Sequence, residues 1–127
     1  MGDNHPKKFR IGSVIGNAKY ENFLVVLQNV TINTADGRGG ESPCIGKGVF
    51  LAAGSHILGN TKIGDMASVS ANMTLFNENI PSDSIVMLKD GAEKIIRPRK
   101  STMCMAQNYF GVSIEEYINF RISASGI

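Results

Sequence analysis

Residues 45–75 read IGKGVFLAAGSHILGNTKIGDMASVSANMTL, and this stretch decides the fold. Ile45, Leu51, Ile57, Ile63, Val69 and Leu75 recur at a step of six. An α-helix returns to the same face after about 3.6 residues, so this step fits no helical face. It fits short parallel strands separated by corners, each strand sending one branched side chain into a common interior. The residue after the apolar one is small at most rungs: Gly46, Ala52, Gly64 and Ser70. Four residues after it stand Val49, Ser55, Thr61, Ala67 and Met73, mostly small or β-branched. Small residues permit sharp corners, and branched ones suit the strands between them. Three such hexads close one triangular coil, and stacked coils pair their backbone groups as in any solenoid.

Upstream, residues 11–32 carry a looser repeat. Val14, Tyr20, Val26 and Ile32 keep the step of six, while Ile15 and Leu27 offer a rival register. Residues 33–44, NTADGRGGESPC, are too glycine-rich and charged for a buried strand and are expected to bulge from the repeat as a loop. Residues 1–10 form a polar lead-in. Downstream, Pro81 is expected to end the clean register. Residues 85–96, IVMLKDGAEKII, read as a strand, a turn at Asp90-Gly91 and a second apolar segment, before the charged break RPRK at 97–100. In the tail, Ser113 followed by Glu116 is a capping box, and Ile114, Tyr117, Ile118 and Arg121 fall at helical spacing. The chain thus divides into a β-helix domain over 1–100, with its loop at 33–44, and a C-terminal helical tail over 101–127. The short helix is expected to cover an open end of the solenoid, where bare strand edges invite aggregation.

The 127 residues suffice for one small domain, and 43% hydrophobic content permits a packed core. Fourteen glycines spread through the repeat point to many tight corners rather than to disorder. A net charge of +2 is too weak to imply nucleic acid. No stretch is apolar enough to span a membrane, and the start MGDNHPKKFR has no secretory h-region. Cys44 and Cys104 lack metal spacing and read as reduced thiols of a cytoplasmic protein.

From Ile11 to about Ile96 the sequence resembles the C-terminal part of serine acetyltransferases and, more broadly, the hexapeptide-repeat acyltransferases. The residues carrying the likeness are SVIG at 13–16, VLQNVTI at 26–32, the loop at 33–44 and above all IGKGVFLAAGSHILGNTKIG at 45–64. The resemblance implies a left-handed parallel β-helix, an exception to the right-handed crossover rule. It implies a homotrimer with acetyl-CoA as co-substrate in the groove between adjacent prisms, and no metal. The reaction implied is transfer of an acetyl group to a hydroxyl, with a histidine as general base.

Aligned on SVIG, the family's first histidine position falls at Phe9, and its loop histidine falls at Ser42, with Glu41 where an arginine is expected. A carboxylate there disfavours free serine as the acceptor, since it repels the acceptor's own carboxylate. The chain has two histidines. His5, in GDNHPK, supplies a base if the lead-in folds back into a groove; the alternative is a solvated lead-in histidine. His56, in AAGSHILG, precedes the inward Ile57, so it faces outward, either into a groove or simply at the surface. Two histidines cannot make a three-histidine zinc site within one chain, which weighs against a γ-class carbonic anhydrase. By resemblance, Ala53 and Ala71 admit the pantetheine arm of CoA, and Gly39 and Gly40 shape its acetyl end. Lys94 and Arg97, with Arg99 and Lys100, are candidates for the CoA phosphates through charge-assisted bonds. Alternatively, the alanines and glycines serve the corners alone and the basic residues are solvated. The resulting reading is an acetyl-CoA-dependent O-acetyltransferase acting on a sugar or another small hydroxyl compound. Its alternatives are a catalytically degenerate trimeric β-helix scaffold and a truncated fragment of a longer transferase.

Overall fold

The computed structural model describes residues 8–9, 12–16, 18–33, 41–101 and 103–118. Its strands are short because each supplies one inward side chain and then turns. The first coil contains β1 (Lys8–Phe9), β2 (Val14–Ile15) and β3 (Lys19–Tyr20). The second contains β4 (Val25–Val26), β5 (Thr31–Asn33) and β6 (Cys44–Ile45). The third contains β7 (Phe50–Leu51), β8 (His56–Leu58) and β9 (Lys62–Ile63). The fourth contains β10 (Ser68–Val69), β11 (Thr74–Phe76) and β12 (Asn79–Ile80). A hairpin follows, β13 (Ser84–Lys89) and β14 (Glu93–Pro98).

Successive coils pair in parallel and build three sheets. Sheet A runs β1-β4-β7-β10-β13-β14, sheet B runs β2-β5-β8-β11, and sheet C runs β3-β6-β9-β12. The fold is the parallel β-helix that the hexads predict. Register stacks like on like. Val26, Leu51, Val69 and Val86 align in sheet A. Ile15, Ile32, Ile57 and Leu75 align in sheet B. Tyr20, Ile45, Ile63 and Ile80 align in sheet C. These side chains form one continuous core. Burying each aliphatic side chain stabilises by about 1.5–3 kcal/mol.

The positions four after each inward residue also bury: Val49, Ser55, Thr61, Ala67 and Met73. The two hydroxyls among them donate back to their own corners, Ser55 Oγ to Ala52 O at 2.8 Å and Thr61 Oγ1 to Leu58 O at 2.8 Å. Corner side chains tie coil to coil. Asp65 Oδ1 accepts the Lys47 N–H at 2.8 Å, and Asn77 Oδ1 accepts the Asn60 N–H at 2.7 Å.

Four expectations change. Lys8–Phe9 is already a strand, paired with Val25–Val26, so part of the polar lead-in belongs to the first coil. A two-residue strand has one inward place and leaves almost no pattern to read. At the second rung the inward residue is Ile15, whereas Val14 is 57% exposed. The step from Ile15 to Tyr20 is therefore five, as it is from Leu75 to Ile80. Pro81 does not end the register, because Val86, six residues after Ile80, continues the inward ladder beside Val69. The tail does not cover an open end. It packs on the outer face of sheet A, where Ile114, Ile118, Ala106 and Cys104 bury against Phe23, Val25 and Phe50.

The hairpin and helix agree with expectation. Asp90 and Gly91 both take positive φ, and the Ala92 N–H donates to Lys89 O at 3.1 Å, closing the turn between β13 and β14. Residues 114–118 are helical, and Ser113 Oγ accepts the Glu116 N–H at 3.2 Å. Arg121 lies outside the described residues.

Phe23 anchors the tail at a conformational cost. Its φ is +61°, a region that L-residues with bulky side chains avoid. Its ring meets those of Phe110 and Tyr117 edge-on, each at 5.1 Å between centroids. Phe23→Gly relieves about 1–2 kcal/mol of backbone strain but forfeits about 3–5 kcal/mol of packing, so urea denaturation should show a net loss of about 2 kcal/mol. A more stable variant would refute this account of the tail.

Gly64 has no room for a side chain, since a Cβ there would lie 2.4 Å from the Ser82 backbone nitrogen. Gly64→Ala is expected to cost about 1–3 kcal/mol through overpacking. Gly111 has nothing within 4 Å of that position, so Gly111→Ala should stay within about 0.5 kcal/mol of the parent when both glycine variants are unfolded in urea.

Candidate functional site

The corner between sheets A and B stacks Gln28, Ala53 and Ala71 on three consecutive coils. Gly54 N–H donates to Gln28 O at 3.0 Å, and Asn72 N–H donates to Ala53 O at 3.0 Å. Ala53 is half-buried and Ala71 exposed. Ala53 and Ala71 project only methyl groups, so along these two coils the edge is flat and a ligand can approach backbone there, with the exposed Gln28 at its end. On its sheet A side lies a groove of about 330 Å³ whose lining includes Ala52, Ser68, Ser70, Ala71, Ile85 and Met105. One wall thus comes from the tail. Met105 opens the 3₁₀ turn Met105–Tyr109 and is 44% exposed, while its neighbours Cys104 and Ala106 are buried and hold the turn against sheet A.

On the sheet B side the same corner leads into β8. His56 is exposed there, as its place before Ile57 predicts. Register sets it between Thr31 and Thr74 of the adjacent coils. Its N–H donates to Met73 O at 2.7 Å, which fixes the backbone from which the imidazole projects. Further along the same face lie Leu58, half-buried, and Phe76, 51% exposed.

The basic candidates occupy different settings. Lys94, on β14, reaches over the last strand of sheet B, donating from Nζ to Thr74 O at 3.0 Å and pairing with the Glu78 carboxylate. Arg97 is exposed and sits opposite Ile85, a lining residue of the groove. Arg99 pairs with Asp83 at 2.6 Å and donates to Ser101 O at 3.0 Å, and Lys100 is exposed. Of the loop, Glu41 is exposed and Ser42 half-buried. His5, Gly39 and Gly40 lie outside the described residues, as do Asp36 and Arg38. Among the described residues no group of three or more His, Cys, Asp or Glu is arranged to hold a metal ion. None of the described helices is long and apolar enough to cross a membrane.

The structure thus brings Ala53 and Ala71 together and puts His56 on the strand that leaves the same corner. The spacing of the repeat placed His56, whereas Ala53 and Ala71 were named by the family resemblance. Met105 had no sequence signal, because its position depends on aromatic packing of the tail. Ser68 and Ser70 were legible only as small residues between apolar ones.

No family model matches the chain. A serine acetyltransferase of Haemophilus influenzae is 37% identical over 68 residues, 52% of this chain and 26% of that protein. A solved serine acetyltransferase in complex with cysteine superposes with a TM-score of 0.68 at 26% identity, covering 85% of this chain and 42% of the other. The chain is similar to the serine acetyltransferases over about half its length. A second solved serine acetyltransferase, in complex with CoA, gives a TM-score of 0.56 at 28% identity over 71% of this chain and 39% of its own. The chain therefore spans about a quarter of the curated relative and about two fifths of these structures.

The Lys94–Glu78 pair is about one third exposed on both sides, so solvent screens it. A double-mutant cycle on Lys94→Ala and Glu78→Ala, read by urea denaturation, should return a coupling below about 1 kcal/mol. A larger value would make the pair a main fastening of the hairpin.

Proposed function

We propose that the chain binds acetyl-CoA along the Ala53–Ala71 corner and transfers its acetyl group to a hydroxyl of a sugar or another small acceptor. The observation that carries this reading is the pair of alanines in line on consecutive coils, beside a groove that Ala52, Ser68 and Ser70 line on the alanine side and Ile85 and Met105 line as well. A pantetheine arm is slender and bears amides, so a site for it needs bare backbone and little side-chain bulk. The relative solved with CoA supports the assignment. Gly39 and Gly40 would shape the acetyl end. Arg97 is the freer of the two basic candidates for the phosphates, since Lys94 is engaged by Glu78.

A hydroxyl is a poor nucleophile at neutral pH, and a base that takes its proton as the new bond forms overcomes this. His56 is the described residue suited to that role, with His5 its rival. The acceptor oxygen attacks the thioester carbonyl while the imidazole takes the hydroxyl proton. The tetrahedral intermediate collapses with cleavage of the C–S bond, and the proton passes to the departing CoA thiolate. A homotrimer that covers Val14, Leu58 and Phe76 would set a second chain beside His56 and close the groove.

A second reading is a scaffold without activity. It is favoured by Phe9 and Ser42 at the positions where the resemblance implies histidines.

Calorimetry with CoA separates the two. The transferase reading expects binding to the parent and loss of binding in Ala71→Leu, with circular dichroism unchanged. A thiol-release assay over a panel of hydroxyl acceptors then tests the base, and His56→Ala should lower kcat by about a hundredfold or more. Binding without turnover on any acceptor, or equal turnover in His56→Ala and His5→Ala, would remove histidine catalysis. Absence of CoA binding would leave the scaffold. Sedimentation equilibrium should give three times the chain mass.

A further inference from the structure

The outer face of sheet C carries a trough of about 490 Å³ that the proposed reaction does not use. Its floor is set by stacking. Gly46 and Gly64 stand in line on adjacent coils, and a Cβ on either would strike the next corner, at 2.4 Å from Asp65 Oδ1 and 2.4 Å from the Ser82 nitrogen respectively. Sheet C is therefore obliged to leave bare backbone along this line, and the neighbouring side chains become walls.

Along one wall, register sets Lys19, Cys44, Lys62 and Asn79 on four consecutive coils. Tyr20, Ile45, Ile63 and Ile80 point inward, so these four point out. Lys19, Lys62 and Asn79 are exposed and Cys44 is half-buried. Strands of adjacent coils lie about 4.8 Å apart, which leaves the two lysine backbones about 10 Å apart, one on each side of the thiol. Neither lysine forms an ion pair with a described carboxylate. The one carboxylate in the lining, Glu21, is offset by Lys47 at 3.6 Å. On the far side, the Ser82 hydroxyl accepts the Asp65 N–H at 3.0 Å and keeps its own proton to donate.

We propose that this trough is a binding site for a phosphate group, free or on a small ester, held between the ammonium groups of Lys19 and Lys62. Two uncompensated cations flank a recess whose remaining polar groups include an amide and a hydroxyl able to donate. A tetrahedral dianion offers oxygens to both sides at once, and charge-assisted bonds to it are the strong class of hydrogen bond. A planar monoanion such as acetate satisfies one lysine and leaves the other uncompensated. The site lies on sheet C, away from the corner between sheets A and B, and stands whether or not CoA binds there.

Cys44 is a built-in reporter, because an anion seated between the lysines covers its thiol. The experiment follows alkylation of Cys44 by iodoacetamide, read by mass spectrometry, while inorganic phosphate is titrated against chloride at constant ionic strength. At twice the apparent Kd the rate should fall about threefold. The protection should vanish in Lys19→Gln/Lys62→Gln and persist in Lys62→Arg, with circular dichroism unchanged in both. No protection in the parent, equal protection in the double glutamine variant, or equal protection by acetate would each overturn the site.

Discussion

Everything in this molecule depends on coils stacking in register, so that each inward side chain rests on one of its own kind. A parallel strand pair satisfies its backbone only through the neighbouring coil, and two- or three-residue strands cannot stand alone. The interior therefore has to be continuous. Ile57 is held by Ile32 on one side and Leu75 on the other, and the same holds along each edge of the prism. Corners then inherit tight tolerances, since they must clear the coil above at strand spacing. That is why Gly64 sits against the Ser82 backbone and why Asp65 and Asn77 turn their side chains onto neighbouring N–H groups.

How far the sequence could be read follows from this arrangement. Where the step is a regular six, from Ile45 to Leu75, periodicity alone assigns inside and outside to each residue. The pattern also exposes His56. It misleads where a corner is one residue shorter. At Ile15 and Tyr20 the step is five, and Val14 looks equally eligible until the neighbouring strand fixes the register. The tail was legible as a helix through Ser113, but its docking was not. Phe23 and Phe50 look like ordinary apolar residues beside the repeat, and only their outward direction on sheet A, or at its corner, makes a seat for Ile114, Phe110 and Tyr109.

The candidate site shows the same division. His56 could be named from the repeat and Ala53 and Ala71 from the family resemblance, and they lie at or beside one corner. Residues placed by long-range packing could not, and Met105 is the clearest instance. The three faces of the prism have separate surroundings as a result. Sheet A is partly covered by the tail, sheet B presents His56 beside an apolar strip, and sheet C holds two lysines over a glycine floor.

A ladder of parallel strands has no natural end, and one molecule could in principle continue into the next as a fibre. The hairpin interrupts that. On sheet A, β14 reverses direction and offers a strand of the wrong polarity for a further coil. On sheet B, the Lys94 ammonium occupies the Thr74 carbonyl, an acceptor that an incoming chain would need, and brings a charge to the rim. The same turn at Asp90-Gly91 that returns the chain on itself thus keeps a self-templating architecture finite.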